Sequence, residues 1–310
     1  MALINEFKPQ ESVKGYFLCK FKQILKNKNG KDYCSVRLQD KSGVIDGKIW
    51  SMHSCILPFE VDDIVEVEGE TLLYQENLQL NINKIQKAEG GYELKDFIPQ
   101  THKDVAALEN ELLDLIEQVS SPYIKKLLEQ IFLEDATYEA FVSHSAGKSV
   151  HHAYLNGLLE HTVTVTKIGK YLATLYEGVQ IDLVIAGCLL HDIGKLRELT
   201  AFPRNDYSDE GQLIGHLVIG AEIIHDAAKK VEGFPEELER LLKHIVIAHH
   251  GEYEYASPKR PKCIEAMIVH LADFSDSRLK MLDEMLEASG DEAYIGYHKL
   301  LGRNIRKVKL

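Results

Sequence analysis

The chain has 310 residues, a formal charge of −12, and apolar and charged fractions of 45% and 27%. Those fractions sit near globular averages and exclude a disordered or fibrous design, and the length suits two compact pieces better than one. An acidic balance of this size argues against a protein that coats nucleic acid through bulk electrostatics, because phosphate binding needs a basic surface.

The N-terminal MALINEFKPQ lacks a basic stretch ahead of an apolar run, and no segment approaches the roughly 18 apolar residues of a membrane span. A cytoplasmic protein without a membrane partner is the expectation. The five cysteines, Cys19, Cys34, Cys55, Cys188 and Cys263, are scattered and without CxxC spacing. They suggest neither a disulfide framework nor a thiolate zinc site, and read as buried thiols.

From about residue 12 to 87 the apolar pattern has period two, through YFLCKFKQIL, YCSVRLQD, GVIDGKIW, IVEVEGETLLY and LQLNINKIQ, with KNKNGK, DKSG and YQEN between. Five short strands with such turns fit a small closed barrel over residues 1–95, and SMHSCILPFE has room for the short helix that an OB-fold places between its third and fourth strands. Alternation puts Phe17, Cys19 and Phe21 on the core face of the first strand. The outward set is aromatic and basic: Tyr16, Lys20, Lys22, Tyr33, Arg37, Lys48 and Trp50. Residues 8–48 also hold ten Lys or Arg against four acids, so one local stretch is cationic. Stacking rings interleaved with cations are what a single strand of RNA or DNA needs, and these seven are the candidate substrate-binding residues of the barrel. The plainer reading has Trp50 capping the barrel and the lysines forming a solvated edge.

Near Pro99 the period changes to three and four, with Leu108, Leu112, Leu113, Ile116 and then Ile124, Leu127, Leu128, Ile131. Residues 96–145 read as a helical linker with support helices and 146–310 as an all-α domain, with helices near 157–176, 180–193, 213–231, 235–249 and 263–289. The fold class is thus multidomain, a five-stranded OB-like barrel followed by helices. The terminal GRNIRKVKL reads as a basic, solvated tail.

Twelve of the fourteen histidines lie beyond residue 140, several beside carboxylates on separate helices. A lone histidine on a helix is more often a hydrogen-bonded core or surface residue than a ligand. His225-Asp226, in AEIIHDAAKK, reads as a polar helix flank and serves as a decoy. His191-Asp192 differs, because it ends the apolar LVIAGCLL and runs into Gly194 and Lys195. Neighbouring residues on a helix point about 100° apart, close enough for an imidazole and a carboxylate to reach one divalent ion. Lys195 can face the same site and hold a phosphate oxygen.

The ordered set of His161 in GLLEHTVTV, His191-Asp192 in HDIGK, His216 in IGHLVIG, His249-His250 in IAHHGEYEYASPKRP and Asp273 in IVHLADFSDS resembles the HD superfamily of metal-dependent phosphohydrolases. With the barrel and the string HHAYLNGLLEHT, the whole chain resembles the YhaM-type 3′-5′ exoribonucleases. The resemblance implies His161, His191, Asp192 and Asp273 around one ion, with Asp192 bridging to a second held by His216 and His249 or His250. It implies manganese; oxygen and imidazole donors without thiolate also suit iron, cobalt or magnesium. Related trinuclear enzymes carry a Glu one turn before the first histidine, where this chain has Gly157, so two divalent ions are expected.

Asp192 and Lys195 are then the candidate catalytic residues. His151 and His152 stand either at the incoming phosphate and 3′-terminal nucleotide or as structural caps, and Tyr253, Tyr255, Lys259 and Arg260 form a loop that could stack or pair with substrate. The implied activity is degradation of single-stranded RNA, with DNA a second substrate, to 5′-mononucleotides. A phosphohydrolase of small or cyclic nucleotides would use the same centre without needing the barrel face, and a non-catalytic nucleic-acid-binding factor would be expected to lack ligands. An OB module that feeds another domain often works in an assembly, which leaves a homo-oligomer open.

Overall fold

The computed structural model describes residues 3–50, 58–75, 77–148, 152–290, 292–298 and 301–308. The chain divides into two compact units, Met1–Gln100 and Thr101–Leu310. Most of the segment expected to form the short OB helix, 51–57, lies outside the described residues, as do Cys55 and His151.

In the first unit, β1 (Ser12–Lys26), β2 (Asp32–Asp40), β3 (Gly43–Ile49), β4 (Ile64–Tyr74) and β5 (Asn77–Lys87) close a barrel in the order β1-β2-β3-β5-β4. All pairings are antiparallel except β3 with β5. The turns use the chemistry their residues offer. The Asn27 side chain accepts from the backbone N–H groups of Asn29 and Lys31, and Asp40 accepts from those of Ser42 and Gly43. Phe17, Cys19, Val36, Leu38, Ile49, Val65, Val67, Leu80 and Ile85 fill the interior.

One feature of β1 departs from simple alternation. A bulge between Cys19 and Phe21 inserts an extra residue, so that Cys19 faces Leu38 while Phe21 faces Arg37 and Lys22 faces Val36. An extra residue reverses the side-chain parity beyond it. Phe21, expected in the core, is therefore on the outer surface at 42% exposure. Lys22, expected outside, shares the inward side with Val36 and runs along it to Phe59, whose carbonyl it reaches and whose ring lies 4.6 Å from its ammonium.

The second unit contains α1 (Val105–Glu117), α2 (Pro122–Phe132), α3 (Asp135–Ser143), α4 (Gly157–Ala173), α5 (Ile181–Leu190), α6 (Lys195–Glu198), α7 (Asp209–Leu213), α8 (His216–Lys230), α9 (Glu236–Ala248) and α10 (Ile264–Ala288). Asp104 caps α1 by accepting from the backbone of Ala106 and Ala107, and Ser121 caps α2 ahead of Pro122. Helix α2 buries Ile124, Leu127, Leu128 and Ile131; α1 buries Leu115 where the spacing had suggested Leu113. Helix α5 is apolar on every side and buried from Leu183 to Leu190, packed by α4, α9, α10 and α2. A helix apolar all round belongs at the centre of a domain, and each of its buried Leu, Val and Ile side chains contributes ~1.5–3 kcal/mol through burial. Its C-terminal end consequently delivers His191 and Asp192 into the interior. The C-terminal segment read as a tail instead forms a hairpin of β6 (Tyr294–His298) and β7 (Arg303–Arg306).

Candidate metal centre and nucleic-acid face

Seven ligand-type residues from five places in the chain converge at the end of α5. His161 is on the second turn of α4, His191 and Asp192 follow α5, His216 opens α8, His249 and His250 follow α9, and Asp273 is midway along α10. The approach of α8 to the turn after α5 depends on Gly194. A Cβ there would stand 2.1 Å from the carbonyl oxygen of His216 and 2.7 Å from the nitrogen of Gly220, so any side chain would push the two ligand-bearing segments apart.

The donor atoms form two groups that share Asp192. On one side, His161 Nε2 lies 3.1 Å from His191 Nε2, 3.5 Å from Asp192 Oδ2 and 3.3 Å from Asp273 Oδ1. On the other, Asp192 Oδ1 lies 3.6 Å from His216 Nε2 and 3.7 Å from His249 Nε2, with His250 near enough to complete a three-imidazole group. Donors bound at ~2.1 Å to a common ion stand roughly this far apart.

The second coordination layer fixes the imidazoles for that purpose. Nδ1 of His191 donates to the Cys188 carbonyl at 2.7 Å, that of His249 to Val246 at 2.7 Å, and that of His250 to Tyr255 at 2.9 Å. His161 Nδ1 faces Asp276 Oδ2 at 2.7 Å, and His216 Nδ1 faces Glu198 Oε1 at 2.8 Å. Each partner accepts only, so each Nδ1 carries a proton and each Nε2 is turned to the centre. Two of the facing atoms, Asp192 Oδ1 and His216 Nε2, are buried without a hydrogen-bond partner. Orphaned buried donors and acceptors are costly, and a cation between these two would satisfy both. The residues present therefore fit divalent metal.

Electrostatics agree. Burial opposes charge on His161, yet Asp192, Asp273 and Asp276 outweigh it and hold its pKa well above the ordinary histidine value. Burial opposes ionisation of Asp192 as well, but Lys195, with Nζ at 2.6 Å, and the neighbouring imidazoles keep it well below the carboxylate range. Burial, reinforced by His250 and His191, pushes His249 well down, so it is neutral near pH 7. A group whose pKa is raised keeps its proton at neutral pH, and an ion taking the Nε2 of His161 must displace it. Manganese binding is thus expected to release roughly one proton at pH 7 and to tighten as pH rises from 6 to 8. Calorimetry in two buffers of different ionisation enthalpy reads the count, and binding without proton release would contradict this assignment of His161.

His152, expected either at substrate or as a cap, has both ring nitrogens occupied and is 1% exposed. Its Nε2 faces Asp276 Oδ2 at 2.9 Å and its Nδ1 the Tyr154 hydroxyl at 2.8 Å, which in turn donates to Glu160. It braces His161 through Asp276 and offers nothing to a strand. Asp276 and Glu198 were not singled out in the sequence; each follows a ligand at helical or near-helical spacing, Asp276 three residues after Asp273 and Glu198 seven after His191. Gly157 has no room for a third-metal carboxylate, since a Cβ would meet the His152 carbonyl oxygen at 2.0 Å. His225 binds Glu239 at 2.7 Å on the half-exposed side of α8.

On the barrel, the seven outward residues do not form one face. Tyr33 and Trp50 stack with ring centroids 4.9 Å apart, the Lys48 ammonium lies 5.7 Å from the Tyr33 ring, and Arg37 pairs with Asp46 at 3.3 Å. These four share the β2–β3 surface, joined by Phe21 opposite Arg37. Tyr16 faces Glu66 on β4 and belongs to another side, because the first half of β1 pairs with β4 and only the second half with β2. Lys20, at the bulge, pairs with Asp62 at 3.2 Å.

A family model described as HD domain matches residues 158–277, and one described as OB-fold nucleic acid binding domain matches residues 20–88. The second OB-fold domain of replication protein A from Methanococcus maripaludis aligns with 30% of this chain and 98% of its own at 24% identity, with a TM-score of 0.24, too slight a likeness to add to the barrel already described. A protein of Shouchella clausii named 3′-5′ exoribonuclease YhaM is 35% identical over 293 residues, 92% of this chain and 89% of that protein. With that identity along nearly the full length of both, the chain belongs to the YhaM family of 3′-5′ exoribonucleases.

Proposed function

We propose that this protein is a metal-dependent hydrolase that captures single-stranded RNA on the β2–β3 surface and removes nucleotides from the 3′ end, releasing 5′-mononucleotides. The observation that carries the reading is the pair of donor groups sharing Asp192, with orphaned atoms facing each other across the second group. His161, His191, Asp192 and Asp273 would hold one divalent ion, and Asp192, His216, His249 and His250 the other, with manganese the first choice for such donors. When bound, the ions supply Lewis-acid polarisation of the phosphoryl group and acidify water. Asp192 keeps its two oxygens on separate groups. Lys195, its pKa raised by Asp192 against the effect of burial, stays cationic and would hold a nonbridging phosphate oxygen once ions relieve Asp192. Asp276 and Glu198 keep His161 and His216 turned to the centre. Four thiols, Cys19, Cys34, Cys188 and Cys263, are free, which suits a reducing cytoplasm.

The test is 5′-labelled RNA incubated with full-length protein and manganese or EDTA. A ladder shortening from the 3′ end, with 5′-mononucleotides as product and no reaction in EDTA, is expected. Internal cuts, or hydrolysis of cyclic or small nucleotides alone, would overturn the reading. As a control, His225→Ala should leave the rate on RNA within about twofold of wild type, since surface substitutions away from a site have small effects. A large loss there would place the chemistry at the wrong His-Asp pair.

A further inference from the structure

The ligand groups open into a cleft of about 410 Å³, within the range of a site for a single small ligand. One wall is a face of α10. Asp273 is a ligand, and Phe274, Ser277, Arg278 and Met281 follow it at one, four, five and eight residues, which is the spacing of a single helix face. Tyr255, on the loop after His250, lines the cleft as well. Phe274 is 39% exposed although its neighbour Asp273 points into the buried centre. The guanidinium carbon of Arg278 lies 5.1 Å from the Phe274 ring centroid. No step of the hydrolysis uses this aromatic and cationic wall.

We infer that this cleft seats the 3′-terminal nucleotide of the strand, its base stacked on the Phe274–Arg278 pair and its 5′-phosphate at Lys195 and the ligand groups. The inference rests on the exonuclease reading and adds the residues that hold the departing nucleotide. A ring with a guanidinium beside it accepts any base, because every base has a π-face. The wall offers the faces of a ring and a guanidinium lying 5.1 Å apart, together with a thioether and a hydroxyl, so that stacking is its main contact with a base. The seat therefore takes all four nucleotides, with purines ahead of pyrimidines in order of stacking strength. A cleft of this size holds one nucleotide at a time, which fits release of mononucleotides.

The test is equilibrium binding of adenosine 5′-monophosphate and of inorganic phosphate to full-length, manganese-loaded protein. Phe274→Ala should raise the Kd for the nucleotide by about tenfold or more and leave that for phosphate, which has no base, within about twofold. Phe274→Trp should restore nucleotide affinity, and manganese content should be the same in all three proteins. The KM for RNA should rise in parallel in Phe274→Ala. Equal nucleotide affinity in wild type and Phe274→Ala would overturn the inference, as would a variant that loses manganese along with affinity, since the residue would then be bracing the metal centre. Wild-type digestion of RNA run alongside separates the two ideas: mononucleotides from wild type with unchanged binding in Phe274→Ala would sink the seat alone, whereas no mononucleotides at all would sink the exonuclease reading beneath it.

Discussion

Asp192→Asn is expected to remove metal from both donor groups together and to abolish hydrolysis. Asparagine keeps the volume, but an amide is a far weaker ligand than a carboxylate, and here one side chain serves both groups through its two oxygens. Metal ions contribute several kcal/mol of charge stabilisation in the transition state, and at 1.36 kcal/mol per decade their loss lowers the rate on the order of 10³-fold or more. The fold should survive. Breaking a buried ion pair costs up to ~3–5 kcal/mol at its worst, but Lys195 also feels Asp273 and Glu198 and retains partial compensation. The sharper measurement is thermal. A ligand at a hundred times its Kd stabilises by about 2.7 kcal/mol, so manganese should raise the Tm of wild type and leave that of the variant nearly unmoved. Near-normal manganese content or activity in Asp192→Asn would show that the centre has been assigned to the wrong carboxylate.

The residues legible in the sequence were those that break a strong pattern. His191 and Asp192 interrupt an apolar helix at its end, and a carboxylate delivered into a core announces itself because burial without a partner is so costly. The helices were legible for a related reason: along α1 and α2 the apolar residues recur at three and four, and the burial of α2 follows that spacing residue by residue. Asp276 and Glu198 were not legible, since a carboxylate on a helix reads the same whether it braces an imidazole or faces solvent. His152 was misleading for the opposite reason: a histidine beside the ligands suggests contact with substrate, and only its two occupied nitrogens reveal a brace. In the barrel, a period-two pattern carries no mark of an inserted residue. The bulge after Cys19 therefore exchanged the faces of Phe21 and Lys22 without any signal in the alternation. Length hid the position of Tyr16 in the same way, because a 15-residue strand that pairs with β4 first and β2 afterwards looks continuous in sequence.

Trp50 is the sole tryptophan of the chain and is 47% exposed beside Tyr33, so the proposed capture surface has a built-in reporter. Single-stranded RNA, titrated in EDTA to prevent cleavage, should quench its fluorescence as a base stacks on the Tyr33–Trp50 platform. Stacking is worth about 1–3 kcal/mol for each base by alanine substitution, so Tyr33→Ala with Trp50→Ala should weaken binding by up to roughly 10²-fold. Because the two rings already touch, the single substitutions should not add, and a double-mutant cycle should return a coupling of at least about 0.5 kcal/mol. Both rings lie outside the barrel interior, so the far-ultraviolet signal and the Tm should change little. Arg37→Ala and Lys48→Ala should act differently: each removes a phosphate contact, lowering affinity for every sequence and reducing the slope of log Kd against log salt by about one. The surface also holds Asp46 against Arg37, and Asp46→Ala should strengthen binding, since the guanidinium would be released to phosphate and a like charge removed. Saturating RNA binding with no change in Trp50 emission, or an unaltered Kd in the double variant, would move the strand off this face of the barrel.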